Sequence, residues 1–193
     1  MDKDILVELY ISEQKSAKEI ARRLGCSENK INYWIKKHGI PKRSISEAVY
    51  ISYNPNGDPF LFKEVKTIDQ AFLYGLGLGL YWGEGTKADK SSVRLGNTDP
   101  ELINKFIEFL KEIFAIKKKD LRFGLQIFSD AKPSKALDFW SKKLNISKSQ
   151  FYKVVITKSG RIGTYRKKNP NGVLTVYYHN KKLRDLLISK LPL

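Results

Sequence analysis

The spacing of apolar residues divides the chain into a helical first quarter and a mixed remainder. Ile5, Leu6, Leu9 and Tyr10 recur at three- and four-residue intervals, which predicts a helix over 2–12. Ser16, with Glu19 three residues on, forms a capping box that opens a second helix, Ala17 to Leu24. Gly25 stands where that helix must end; Ser27 caps a third helix through His38, and Gly39 and Pro41 stop it. Residues 44–66 show no sustained period and contain Asn54-Pro55-Asn56-Gly57-Asp58-Pro59, a dense cluster of turn formers. They are expected to link a domain at 1–43 to one at 67–193, with Tyr50, Tyr53, Phe60 and Phe62 packed against a neighbour. Strands are predicted at 92–98, 121–129, 151–157 and 173–178, and helices after Asp99-Pro100, after Ser134 and from Lys181 to about Leu191. Leu121, Phe123, Leu125 and Ile127 alternate with Arg122, Gln126 and Phe128. The pattern is α+β, with helices on one face of a sheet and the other face free to be polar and basic.

One stretch breaks the pattern. Ala71 to Gly85 is an apolar run with five glycines and a closing carboxylate, Glu84, and Thr67 with Gln70 forms a capping box ahead of it. Glycine costs a helix roughly 1 kcal/mol against alanine, so this density requires a reason. Gly75, Gly79 and Gly83 fall on every fourth residue, one stripe of a helix along which a second helix can approach closely. The run Phe72 to Trp82 is too short for a bilayer, which needs about 20 apolar residues. The expectation is a helix–helix contact that holds Glu84 at one end, in a protein without a membrane partner.

Charge sharpens this picture. The net charge is +16, and residues 111–193 carry 20 Lys/Arg against 5 Asp/Glu, a surplus of +15. A surplus so confined points to a surface that meets a polyanion. Charge alone admits DNA, RNA or anionic lipid. A single cysteine, Cys26, excludes an internal disulfide framework, and two histidines argue against structural zinc and against a Ser/His/Asp site. Met1-Asp2-Lys3-Asp4 opens without an apolar signal region, so a cytosolic protein is expected.

Three short helices joined by Gly25-Cys26-Ser27 have the proportions of a helix-turn-helix. Ser16 to Gly39 resembles resolvase- and transposase-type modules of this kind, with Ile20, Ala21, Leu24, Ile31 and Ile35 at the core positions. The resemblance implies that Ser27, Glu28, Asn29, Lys30, Asn32 and Tyr33 face the major groove, where Asn suits adenine and Lys suits guanine or phosphate. Arg22, Arg23, Lys36 and Lys37 suit phosphates, and Lys42-Arg43 an arm in the minor groove. A three-helix protein-interaction module is the alternative. Trp34 is expected in the core.

Gly79-Leu80-Tyr81-Trp82-Gly83-Glu84-Gly85 resembles the LAGLIDADG motif of homing endonucleases and their regulatory relatives. The resemblance covers residues 67–193 and implies paired motif helices beneath a saddle-shaped antiparallel sheet lying on DNA. It makes Gly79 and Gly83 the contact positions and Glu84 the ligand of a catalytic Mg²⁺. With one motif in the chain, pairing must join two copies as a homodimer through Gly75, Gly79 and Gly83. Strand phase adds Gln126 as a positioner of water and Lys153, Lys158 or Lys87 as a phosphate partner, with Arg122, Arg161, Arg166, Lys167 and Lys168 along the DNA. Trp82 departs from the family by standing where a first acid is common. The implied function is site-specific, Mg²⁺-dependent cleavage of double-stranded DNA. A non-cleaving DNA-binding regulator on the same scaffold is the alternative, and an RNA-processing factor a third.

Overall fold

The computed structural model describes residues 1–158 and 169–192 of the 193-residue chain, which divides into two compact units, Met1–Pro59 and Phe60–Leu193. In the first, Asp2 accepts from the amides of Asp4 and Ile5 and opens α1 (Lys3–Val7), which runs on into a π-helical turn, Glu8–Ser12. The Ser16/Glu19 box starts α2 (Ala17–Arg23), and the Ser16 hydroxyl bonded to Glu19 holds that carboxyl below its usual range. Gly25, at φ +63°, turns the chain into α3 (Glu28–Lys37), capped by Ser27. Leu6, Leu9, Tyr10, Ile20, Ala21, Ile31, Ile35 and Ile40 form the core. Leu24, expected among them, is exposed, because it is the C-cap of α2 and falls past the buried stripe. Trp34 is half-buried against the core and stacks on His38 at 5.2 Å.

The expected connection at 44–66 contains a helix, α4 (Ile45–Tyr53), and the units divide at Pro59–Phe60. Its N-terminus is held by the Ser44 hydroxyl, which accepts from the Glu47 amide. None of its residues is buried, and Ile45, Val49 and Tyr53 face solvent. A cap rather than a buried stripe marks this helix.

The second unit is an α+β domain built on a four-stranded mixed sheet. Thr67 caps α5 (Ile68–Glu84), and the Gln70 side chain accepts from the Lys66 amide, one residue ahead of the box expected. Then follow β1 (Val93–Asn97), α6 (Pro100–Phe114), β2 (Arg122–Phe128), α7 (Pro133–Leu144), β3 (Val155–Thr157), β4 (Val173–Tyr178) and α8 (Lys181–Ser189). Pro133 sits in the first turn of α7, so the helix starts ahead of Ser134. The strand order is β1-β4-β2-β3; β4 runs antiparallel to both neighbours, and β3 parallel to β2. The antiparallel sheet expected from the sequence is therefore mixed. The chain crosses from β2 to β3 through α7, and such a crossover is what parallel neighbours need. β3 is also short, because a 3₁₀ turn at Lys148–Gln150 precedes it and Gln150 donates to the carbonyls of Lys118 and Leu121.

One sheet face is buried by Val93, Leu95, Phe123, Leu125, Ile127, Leu174, Val176 and Tyr178. Helix α5 lies against α6, and Gly77 makes that possible: a Cβ there would stand 2.1 Å from Cγ of the buried Phe109. The close approach inside the chain thus falls on Gly77, between the glycines of the predicted stripe.

Candidate nucleic-acid interface

The opposite sheet face is open. Arg94 of β1 and Arg122 of β2 lie in register on either side of Tyr177 of β4. The next row is Gly96, Thr175 and Gly124, and the one after it brings Val173, Gln126 and Val155 together. Arg94 stands 5.2 Å from the Tyr177 ring centre and is held by Asp89 at 2.5 Å and the Ser92 hydroxyl at 2.8 Å. Arg122 donates to the carbonyls of Lys119 and Leu121. Lys153 and Lys158 are exposed beside β3. Arg161, Arg166, Lys167 and Lys168 lie outside the described residues.

The loop before β1 is tied down by Asp89. The Ser91 hydroxyl and amide, then the Ser92 amide and the Arg94 guanidinium, hold its carboxyl at about 2. A carboxylate depressed in the folded state stabilises it above its unfolded value and loses that contribution as the proton binds. The melting temperature of the second unit is therefore expected to fall as pH drops from about 4 toward 2, and Asp89→Asn to flatten that slope in thermal melts.

Glu84 is the last residue of α5, exposed, with no hydrogen-bond or ion-pair partner among the described residues. Lys87 is drawn back onto the Trp82 carbonyl and caps the helix end. Tyr81, one turn earlier, is fully buried on Phe106, and its hydroxyl finds no partner among the described residues. Gln126 and Lys153 do not join Glu84. Gly85 bridges to the free edge of β1 at Leu95, whereas Gln126 lies on β2 beyond β4, three strand spacings or about 14 Å across the sheet. Gln126 instead donates to the Thr157 hydroxyl at 3.0 Å and ties β2 to β3. No three His, Cys, Asp or Glu side chains gather among the described residues. One free carboxylate suits Mg²⁺ only as half of a shared site.

Gly75, Gly79 and Gly83 are bare: a Cβ at any of them would have nothing within 4 Å. Ile68, Phe72 and Trp82 continue the same face and are 88, 71 and 50% exposed. The stripe is open along the whole of α5, and no helix of the described residues is long and apolar enough to cross a membrane.

In the first unit, Arg22, Asn29, Lys30, Tyr33, Lys36, Lys37 and Lys42 are exposed, and the Lys37 ammonium sits 4.6 Å over the Trp34 ring. Arg23 pairs with Glu13 at 2.9 Å. Ser27 is occupied as a cap, and Asn32 donates back to the Glu28 carbonyl at 3.2 Å. Arg43 is not an arm. Its guanidinium donates to the carbonyls of Tyr10, Gln14 and Lys15, stacks 4.0 Å over the Tyr10 ring, and so closes the end of the π-helical turn.

Four residues of the sheet face, Arg94, Tyr152, Tyr177 and His179, carried no signal in single-strand periodicity. Arg94 and Tyr177 lie on the phase of β1 and β4 opposite the buried Val93, Leu95, Leu174, Val176 and Tyr178; only the cross-strand register brings them together. Asn180, beside His179, is buried as the cap of α8 and accepts from the Leu183 amide. Comparison with protein-family models, with curated proteins and with solved structures returns no match.

Proposed function

We propose that the protein binds double-stranded DNA site-specifically as a homodimer and that pairing of α5 assembles a LAGLIDADG-type, Mg²⁺-dependent phosphodiesterase centre. The observation that carries this is the bare glycine stripe, open and flanked by exposed apolar residues, with an unpartnered carboxylate at its end. A two-fold pairing along it sets two Glu84 carboxylates side by side, where the α5 C-terminus adds partial negative charge. The paired Glu84 carboxylates would hold a divalent ion there, which would supply activation of water and charge neutralisation at phosphate. The open cationic sheet face takes the flanking phosphates, and α3, behind the turn at Gly25, presents Asn29, Lys30 and Tyr33 to a groove as a helix-turn-helix would. The distance of Gln126 and Lys153 from Glu84 favours a second reading, a regulator that binds without cutting.

The test selects bound sites from random duplexes with Mg²⁺ present and absent and follows the strands on gels. Wild type is expected to bind and cut one site, and Glu84→Gln to bind it equally without cutting. Gly79→Leu is expected to sediment as a monomer, because a bulky side chain fills the stripe. Equal binding without cutting by wild type and Glu84→Gln supports the regulator; absence of selected DNA removes both readings.

A further inference from the structure

The sheet face holds an aromatic cluster that readout of a paired duplex does not use. Tyr152 and Tyr177 meet edge to face at 5.5 Å, and Tyr177 stacks on His179 at 5.9 Å with an angle of 22°. The Tyr152 hydroxyl stands 2.5 Å from Nε2 of His179, which fixes both rings on the solvent side. Burial, then the charge of Arg94 against that of Asp89, keeps the His179 ring below its ordinary range, and its Nε2 shares a hydrogen bond with the Tyr152 hydroxyl. Tyr152 is 44% exposed. Gly124 lies beside the cluster, where a Cβ would stand 3.0 Å from the Tyr177 ring, so β2 brings no side chain against the ring at that position.

We propose that this cluster is a stacking site for an unpaired nucleobase of DNA, with Arg122 receiving a flanking phosphate. The inference deepens the DNA-binding reading and rests on it. Large aromatic side chains on a solvent face leave apolar surface uncovered, and a base presents a flat partner of matching chemistry. Charge selects the occupant. Arg122, in register beside the rings, repels a cationic ligand and attracts the backbone of a polyanion, while Arg94 and Asp89 form an ion pair at 2.5 Å whose charges offset each other. A base held inside a duplex cannot reach the rings; one that is bulged, flipped or single-stranded can.

The experiment measures fluorescence anisotropy at matched salt for a labelled duplex of mixed sequence, the same duplex with one unpaired nucleotide, and one strand alone. Wild type is expected to bind the bulged duplex about tenfold more tightly than the paired one. Tyr152→Ala and Tyr177→Ala are expected to erase that preference, Tyr152→Ala leaving affinity for the paired duplex within about twofold, and Tyr152→Phe to keep it, because the ring remains. Equal affinity of wild type for paired and bulged duplexes overturns the stacking site and leaves the DNA-binding reading standing. A preference that survives Tyr152→Ala and Tyr177→Ala overturns it equally. Binding of the single strand with no binding of paired duplex sustains the stacking site and removes the duplex reading; no binding of any probe removes both.

Discussion

Replacing Gly77 with valine is expected to unfold the second unit at temperatures where the wild type is native. The ideal Cβ lies 2.1 Å from Cγ and 2.3 Å from Cδ2 of Phe109. That ring cannot swing aside, since it is fully buried against Phe106, Phe114 and Tyr74 at centroid distances of 5.8, 5.3 and 6.3 Å. Overpacking a tight core costs about 1–3 kcal/mol and occasionally more, and valine adds two further methyls at the clash. A loss of about 3 kcal/mol or more is a large part of a domain stability on the order of 5–15 kcal/mol. Alanine keeps the Cβ clash but regains up to about 1 kcal/mol of helix propensity, so a smaller net loss is expected. Gly79→Ala, with open space around it within the chain, should leave the second unit folded and act only on the pairing of two copies. Urea titrations followed by circular dichroism separate these cases, and a Gly77→Val melt matching wild type would refute the packing of α5 on α6.

Arg43→Ala should loosen the first unit without acting on DNA directly. The guanidinium satisfies three backbone carbonyls and covers the Tyr10 ring, and its own amide donates to the Tyr10 hydroxyl at 3.2 Å. Removing a charged donor from half-buried acceptors is expected to cost about 2–4 kcal/mol. Lysine does not rescue this, because a point charge cannot reach three carbonyls as a planar fork does. Hydrogen exchange on peptides from residues 1–59 of the full chain reads the effect. Unchanged protection together with a large loss of DNA affinity would return Arg43 to the role of an arm.

These two residues show where the sequence was legible. Faces were readable, because the alternation in β2 and the three-and-four spacing of Ile5, Leu6, Leu9 and Tyr10 are local consequences of burial. The capping residues Ser16, Ser27 and Thr67 were readable too, since each satisfies amides within its own turn. Partners distant in sequence were not. Nothing near Arg43 announces that the carbonyls of residues 10, 14 and 15 end beside it. Gly77 hid among four other glycines until α6 supplied Phe109. The strand order was equally hidden, and with it the separation of Gln126 from Glu84. Periodicity tells which side of a strand faces inward and is silent on its neighbour.

The strand order also sets a timetable. Strand β4, the last of the four to leave the ribosome, lies between β1 and β2 and, among the described residues, supplies both antiparallel ladders of the sheet. Until residue 178 has emerged, β1 has no partner strand, and its buried-face residues Val93 and Leu95 have only helices to shelter them. The first unit draws its core from residues 6–40 and can close long before. Synthesis thus yields a finished N-terminal unit tethered to an unpaired β1, a period in which the second unit depends on slow, long-range closure and is most exposed to misassembly.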